Sequence, residues 1–327
     1  MRLNHSLFFI LHSKLALSAT TFRLIKPMYF IRHHAWRLLL AALILLLMND
    51  DSVQAASQSS LQAGIIPFET VTLAPEIPSL PLEAALSQGL QVSGVEVLPS
   101  NLVGAALSAR NGSALNCNPR CEEAQQLGAA LGCDFYLQGR VLSARRVNST
   151  HESYFEIQLS LFCIDARTGT LVGFHDFKAQ GPFPEHARAE AVCEASRLAT
   201  TVVHEFQAFR KEQRSQLNDS SEDTVLDLRS GEVPEDVTLP IFLKRPRPTT
   251  TEAARDADIE AKVEAEIVFG TTGSVEDIRI VRWAGYGLDE AVIQAIRNYA
   301  FKPATQAGSP VRIKLLAEFN FRRQEKP

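Results

Sequence analysis

Every second residue from Val311 to Phe321 is apolar: Val311, Ile313, Leu315, Ala317, Phe319 and Phe321. A period of two held this long predicts a single strand with one face on a core and one toward water, about twice the usual length. Such a strand needs neighbours, and the preceding residues supply them. Val263, Ala265, Ile267 and Phe269 alternate with Glu264, Glu266 and Val268 as a first strand. Gly270-Thr271-Thr272-Gly273 is a turn, and Val275 to Arg282 returns with Ile278 and Ile280 on one face. Leu288, Val292, Ala295 and Tyr299 then fall on one stripe of a helix, with Asp289 and Glu290 in its first turn. Pro303 is expected to end that helix. The C-terminal order is therefore β-β-α-β.

The chain has 327 residues, enough for two domains, and 46% apolar with 21% charged residues gives real cores to both. A net charge of −4 lacks the basic excess of a general nucleic-acid binder. Residues 60–210 read as a separate α+β domain. Gly64 to Phe68 is a short strand interrupted by Pro67, residues 81–91 are near helical spacing, and Val95 to Leu98 is a second short strand. Pro119 to Leu131 predicts a helix stopped by Gly132. Phe135 to Val147, Tyr154 to Ile164 and Thr170 to Lys178 predict three strands. Tyr154, Glu156, Gln158 and Ser160 are expected on a water-facing side. A long helix from about Glu185 to Leu217 closes the domain. The class is α+β, a mixed sheet packed against helices.

Residues 211–239 hold eight acidic against three basic residues and four serines, which reads as a flexible acidic linker to a domain at 240–327. At the other end, residues 38–48 are an uncharged apolar run behind Arg32, His33, His34 and Arg37. That run is short for a membrane span, and with Val53 and Ala55 placed for cleavage it predicts a signal peptide over residues 1–55, with an uncleaved signal anchor as the alternative. Met28 offers a more usual start for that leader than Met1. The protein is expected to be exported to the periplasm, either free or anchored by the segment around 36–48.

Cys117, Cys121, Cys133, Cys163 and Cys193 all precede residue 194. In an oxidising compartment some of them are expected to pair, Cys117 with Cys121 being the first choice. Their spacing is not that of a zinc site. Gly285-Tyr286-Gly287 lacks the third glycine of a dinucleotide loop, His204-Glu205 lacks a second metal-binding histidine, and Lys244 to Arg247 reads as a solvated basic cluster. No nucleophile, carboxylate pair or metal cluster has supporting context. The expectation is a protein that is not an enzyme, with no cofactor, no metal and no small-molecule substrate.

Two resemblances extend this reading. Gly64 to Phe68, Ala124-Gln125-Gln126-Leu127-Gly128 running into Leu131 to Gly139, and Asp165 to Gly169 loosely resemble the domain shared by the TolB N-terminal part and the CsgG- and LpoB-like envelope proteins. That resemblance implies an interaction module. Residues 245–323 resemble the TonB C-terminal domain more specifically. The matching positions are Gly270-x-x-Gly273-Ser274-Val275, Leu288 to Ile296, Phe301-Lys302-Pro303-Ala304, Gly308 to Val311 and Phe319-Asn320-Phe321. Arg247-Pro248, Ala261 and Tyr299 stand where the family has tyrosine-proline, glycine and tryptophan.

The TonB resemblance implies an energy transducer that grips an extended segment of a TonB-dependent outer-membrane receptor while an ExbB/ExbD-like inner-membrane motor pulls. An edge strand can accept such a segment as one more strand. The expected contact residues on the last strand are Arg312, Ile313, Lys314, Leu315, Phe319, Asn320 and Phe321, with Arg322 beside them. The apolar segment lacks the family's membrane-embedded serine-to-histidine pattern, and a globular domain replaces its proline-rich spacer. A soluble periplasmic adaptor or assembly scaffold is the alternative.

Overall fold

Alternating apolar runs in the first half become one mixed sheet: β1 (Gln62–Ile65), β2 (Glu69–Thr72), β3 (Glu96–Val97), β4 (Phe135–Val147), β5 (Ser153–Asp165) and β6 (Leu171–Gly181). The strand order is β3-β1-β4-β5-β6, with β2 pairing β4 farther along its length. The β4–β5–β6 meander is antiparallel, whereas β1 runs parallel to both β3 and β4. The computed structural model describes residues 60–77, 80–109, 117–149, 152–217 and 225–322, which belong to one compact unit. The apolar run at 38–48, and with it the signal or anchor, lies outside the described residues.

Among the described residues, four helices accompany this sheet: α1 (Leu82–Val92), α2 (Ser100–Ser108), α3 (Cys121–Leu131) and α4 (Pro184–Leu217). Ala187, Ala191, Ala195 and Ala199 recur every four residues along α4 and are fully buried. Small side chains at that spacing let the helix lie close against its neighbours. With α1 they cover the sheet face that carries Phe135, Leu137, Ile157, Leu159, Leu161 and Cys163.

The opposite face departs from the alternation reading. Glu156, Gln158 and Ser160, expected in water, are buried. They are satisfied by one another's surroundings: Gln158 Nε2 and Ser160 Oγ donate to Asp176 at 2.9 and 2.7 Å, and Gln180 Nε2 donates to Glu156 at 2.9 Å. Farther along the same face, Phe162 packs on Trp283 and Phe174 packs on Tyr286. The face is polar in composition yet covered, because side-chain hydrogen bonds replace water.

The second half is built from β7 (Leu226–Asp227), β8 (Val237–Thr238), β9 (Ile241–Lys244), α5 (Glu252–Asp256), β10 (Ala261–Phe269), β11 (Val275–Arg282), α6 (Leu288–Arg297), β12 (Ala300–Lys302), β13 (Thr305–Gln306), β14 (Ser309–Pro310) and β15 (Ile313–Phe321). The main sheet has the order β11-β10-β15-β7, and α6 buries Leu288, Val292, Ala295 and Ile296. The helix stops at Arg297, before Pro303, because residues 300–302 extend to pair with β9. Part of the stretch read as a flexible linker is also ordered: β7 joins the main sheet and β8 pairs with β13. Leu228 and Val237 are buried there, so a few apolar side chains outweigh the acidic composition.

The two halves share a core that runs from Ile66, Tyr136 and Phe162 to Val263, Trp283 and Leu288. Polar contacts lock the seam. Asn118 Nδ2 donates to the carbonyls of Lys262 (2.9 Å) and Trp283 (2.5 Å), and its Oδ1 accepts from Lys262 N at 3.1 Å. Trp283 Nε1 donates to the Gly169 carbonyl at 3.1 Å. Gly169 sits at φ +69, where a Cβ would meet the Cys121 carbonyl oxygen at 1.9 Å, so that turn must be glycine to approach α3.

Candidate partner-binding edge

Nine residues of β10 pair with β15 in unbroken antiparallel register, from Ala261 opposite Phe321 to Phe269 opposite Ile313. One side of β15 is therefore fully used. On its other side, β7 runs parallel and covers only Ile313 and Lys314. Leu226 N donates to the Arg312 carbonyl at 3.0 Å and Leu228 N to the Lys314 carbonyl at 2.9 Å. Backbone groups alternate sides along a strand, so those of Leu316, Glu318 and Asn320 also point to this edge. No strand among the described residues pairs with β15 there.

The side chains expected to contact a partner divide between two faces. Ile313 and Phe321 are buried in the core, and Leu315 and Phe319 pack against it. Arg312 already pairs with Glu276 at 2.5 Å. Lys314 and Asn320 stand on the opposite, more open face, where Leu316 and Glu318 also lie, and Arg322 is exposed. Glu318 pairs with Lys262 at 3.0 Å, which lowers its carboxyl pKa. The same edge also carries Leu316, Glu318 and β7, which sequence reasoning did not name. Leu316 was hidden by its neighbour: Leu315-Leu316 is the one place where both faces of the strand are apolar.

Charged groups converge beside this edge. The Glu264 carboxylate, buried on β10, lies 2.9 Å from Arg282 Nε and 2.5 Å from Arg120 Nη2. Glu266, two residues on, bonds to Arg229, which also grips Asp227 at 2.6 Å. Hydrogen bonding to Arg229 holds the Asp227 carboxyl down at about 2. Opposite the sheet, Asp289 accepts hydrogen bonds from Ala284 N (3.0 Å) and Gly285 N (2.7 Å) and fixes the loop that leads into α6. Burial nevertheless pushes its carboxyl up to about 7, outweighing the two amides.

The expected disulfides are not formed. All five cysteines are free, with Cys121 and Cys163 buried and Cys193 exposed on α4. Cys117 and Cys121 point to different partners, Cys117 toward Gln138 and Cys121 toward the Ile280 carbonyl, each at 3.6 Å. A cleft of about 870 Å³ lies where the halves meet, lined by Phe68, Cys117, Arg140 and Tyr286 among others. Burial raises the Cys117 thiol to about 11 and the Tyr286 phenol to about 12, so both stay protonated at neutral pH and neither is a ready nucleophile.

Residues 246–322 match the family model of the Gram-negative bacterial TonB protein C-terminal. The TonB-like domain is therefore the part that carries β10, β11, α6 and β15, and the edge described above is its own. The solution structure of the Pseudomonas aeruginosa TonB C-terminal domain is similar at 19% identity over 32% of this chain and all of that one, with a TM-score of 0.25. The Neisseria meningitidis lipoprotein GNA1162 is similar at 14% identity over 37% of this chain and 83% of that one, TM-score 0.28. The Salmonella enterica LpoB C-terminal domain is similar at 14% identity over 39% of this chain and 90% of that one, TM-score 0.25. No curated protein matches the chain. Among the described residues no helix is long and apolar enough to cross a membrane.

Proposed function

We propose that the TonB-like domain grips an extended segment of a TonB-dependent outer-membrane receptor, which adds to β15 as a further strand. The protein works in the cell envelope as a receptor-coupling component, and an ExbB/ExbD-like motor is the source of force in the transducer form of this reading. One observation carries the proposal: β15 is long, satisfied by β10 along one side, and open along the other beyond Lys314. Main-chain hydrogen bonding then supplies affinity, and the more open face of half-buried Lys314 and Leu316 with exposed Glu318 and Asn320 supplies discrimination.

The test is titration of the full chain with synthetic peptides covering the periplasmic segments of receptors from its own cells. Leu316→Pro removes one outward N–H from the edge without entering the core. Binding by the native chain that falls at least about tenfold (~1.4 kcal/mol) in Leu316→Pro supports strand addition. Equal binding by the two, or none by either, defeats it.

An adaptor that binds receptors without transmitting force is the second reading, and the seam favours it. Asn118 and Arg120 of the first half hold Lys262, Trp283 and Glu264 of the TonB-like domain, so that domain is docked rather than tethered. Cell fractionation separates the two: retention in the inner membrane supports the transducer, and a freely soluble periplasmic chain supports the adaptor.

A further inference from the structure

The strand β7 is a peculiar neighbour for β15. It contributes two ladder residues, while β10 contributes nine. It approaches from outside the family match, which begins at residue 246. Its manner of attachment is that of an added peptide: main-chain N–H groups of Leu226 and Leu228 on the carbonyls of Arg312 and Lys314, one apolar side chain driven into the core, and a polar residue left on the open face. Leu228 is the anchor, 3% exposed, while Leu226 packs partly against the same core. Asp227 stands opposite Lys314, and Arg229 ties it to Glu266 of β10.

We propose that β7 is a resident stand-in for the partner segment, occupying the Arg312–Lys314 end of the β15 edge until an incoming strand displaces it. The protein thereby gates its own binding edge. With β7 in place, a partner can pair only with the backbone groups of Leu316, Glu318 and Asn320; with β7 released, the edge lengthens by the carbonyls of Arg312 and Lys314. A short strand with one buried anchor is held firmly enough to exclude casual edge-to-edge pairing and weakly enough to be exchanged. This deepens the receptor-grip reading and rests on it only for the identity of the final partner.

The probe that tests it is a labelled synthetic peptide of residues 225–232, so the experiment needs no receptor. Leu228→Asp removes the anchor, and Leu226→Pro removes the donor to Arg312. In the detergent-solubilised full chain, both variants are expected to bind the peptide in trans at least about tenfold more tightly than the native chain. Folded variants that bind it no better than the native chain overturn the proposal, as does a native chain that binds it as tightly as they do. If either substitution prevents folding, amide exchange of the native chain decides. The Leu226 and Leu228 amides should exchange much faster than that of Leu315, through local opening, and equal protection overturns the proposal. Failure of receptor peptides to bind any of these chains would count against the receptor reading alone.

Discussion

Glu264 is the most consequential single side chain at the seam between the halves. Its carboxylate is 2% exposed, and it holds Arg282, itself 19% exposed, on one oxygen and Arg120, 42% exposed, on the other. Arg282 in turn donates from Nη1 to the Asn118 carbonyl at 3.0 Å, and Asn118 binds Lys262 and Trp283. Consider Glu264→Ala. The lost charge-assisted bond to Arg282 is worth about 1.5–3 kcal/mol. The Arg120 pair lies at the wetter end of the bridge and adds only about 0–1 kcal/mol, because Arg120 rehydrates. One lost buried methylene adds about 0.8 kcal/mol, and relief from desolvating the carboxylate offsets part of the sum. The expected cost is about 3 kcal/mol, or a fall of at least about 1 M in the urea midpoint. Fluorescence reports it locally, since Trp283 sits at the seam and the only other tryptophan is Trp36. A double-mutant cycle of Glu264→Ala with Arg282→Ala should return a coupling of about 2 kcal/mol. A midpoint shift under about 0.3 M, or strict additivity in the cycle, refutes the claim that this carboxylate holds Arg282 in place at the seam.

Three further outcomes are expected. Gly285 sits at φ +72 with a Cβ position 2.7 Å from Phe174 Cδ2 and 2.8 Å from Phe162 Cε1, so Gly285→Ala should cost about 2–4 kcal/mol and lower the melting temperature. Asp289 is raised from the ordinary carboxylate range to about 7, so between about pH 4 and 7 the folded chain holds a proton that the unfolded chain has lost, and this group's contribution to stability falls as pH rises. Asp289→Asn should remove that slope, up to about 1.4 kcal/mol per pH unit, from urea midpoints measured at pH 5 and 7; an unchanged slope rejects the assignment. Alkylation of the native protein should modify exposed Cys193 first and fully buried Cys163 only on unfolding, with an intact mass corresponding to five thiols.

The elements with a strong period were legible. The Val275 to Arg282 strand has the bounds its alternation gave, and α6 starts at Leu288, where the stripe and the first-turn carboxylates put it. The helix before Gly132 and the three long strands of the first half were equally visible, since thirteen-residue β4 and β5 each carry many alternations. Short elements were not. The five-residue α5 and the two-residue strands β7, β8, β13 and β14 hold too few residues to establish any period, and each of the strands is set by the partner it pairs with.

The candidate site was legible to about the same depth, and for the same reason. Alternation located β15 and its core face, but edge status is a property of the sheet and not of the strand. Nothing within Val311 to Phe321 distinguishes the side paired with β10 from the side left open. The burial of Glu156, Gln158 and Ser160 shows the same limit: a period of two tells which residues share a face, and only the pairing with β6 tells that Asp176 and Gln180 take the place of water there. The seam itself is built from Asn118, Arg120, Glu264 and Arg282, residue types that composition assigns to the surface. Of the four only Glu264 is fully buried, and each is answered at the seam by Lys262, Trp283 or one another. This makes the seam selective: a TonB-like domain with a different residue at position 264 would leave two guanidinium groups without their shared carboxylate, and the halves would be held only by their common apolar core and by the bonds of Asn118 and Trp283.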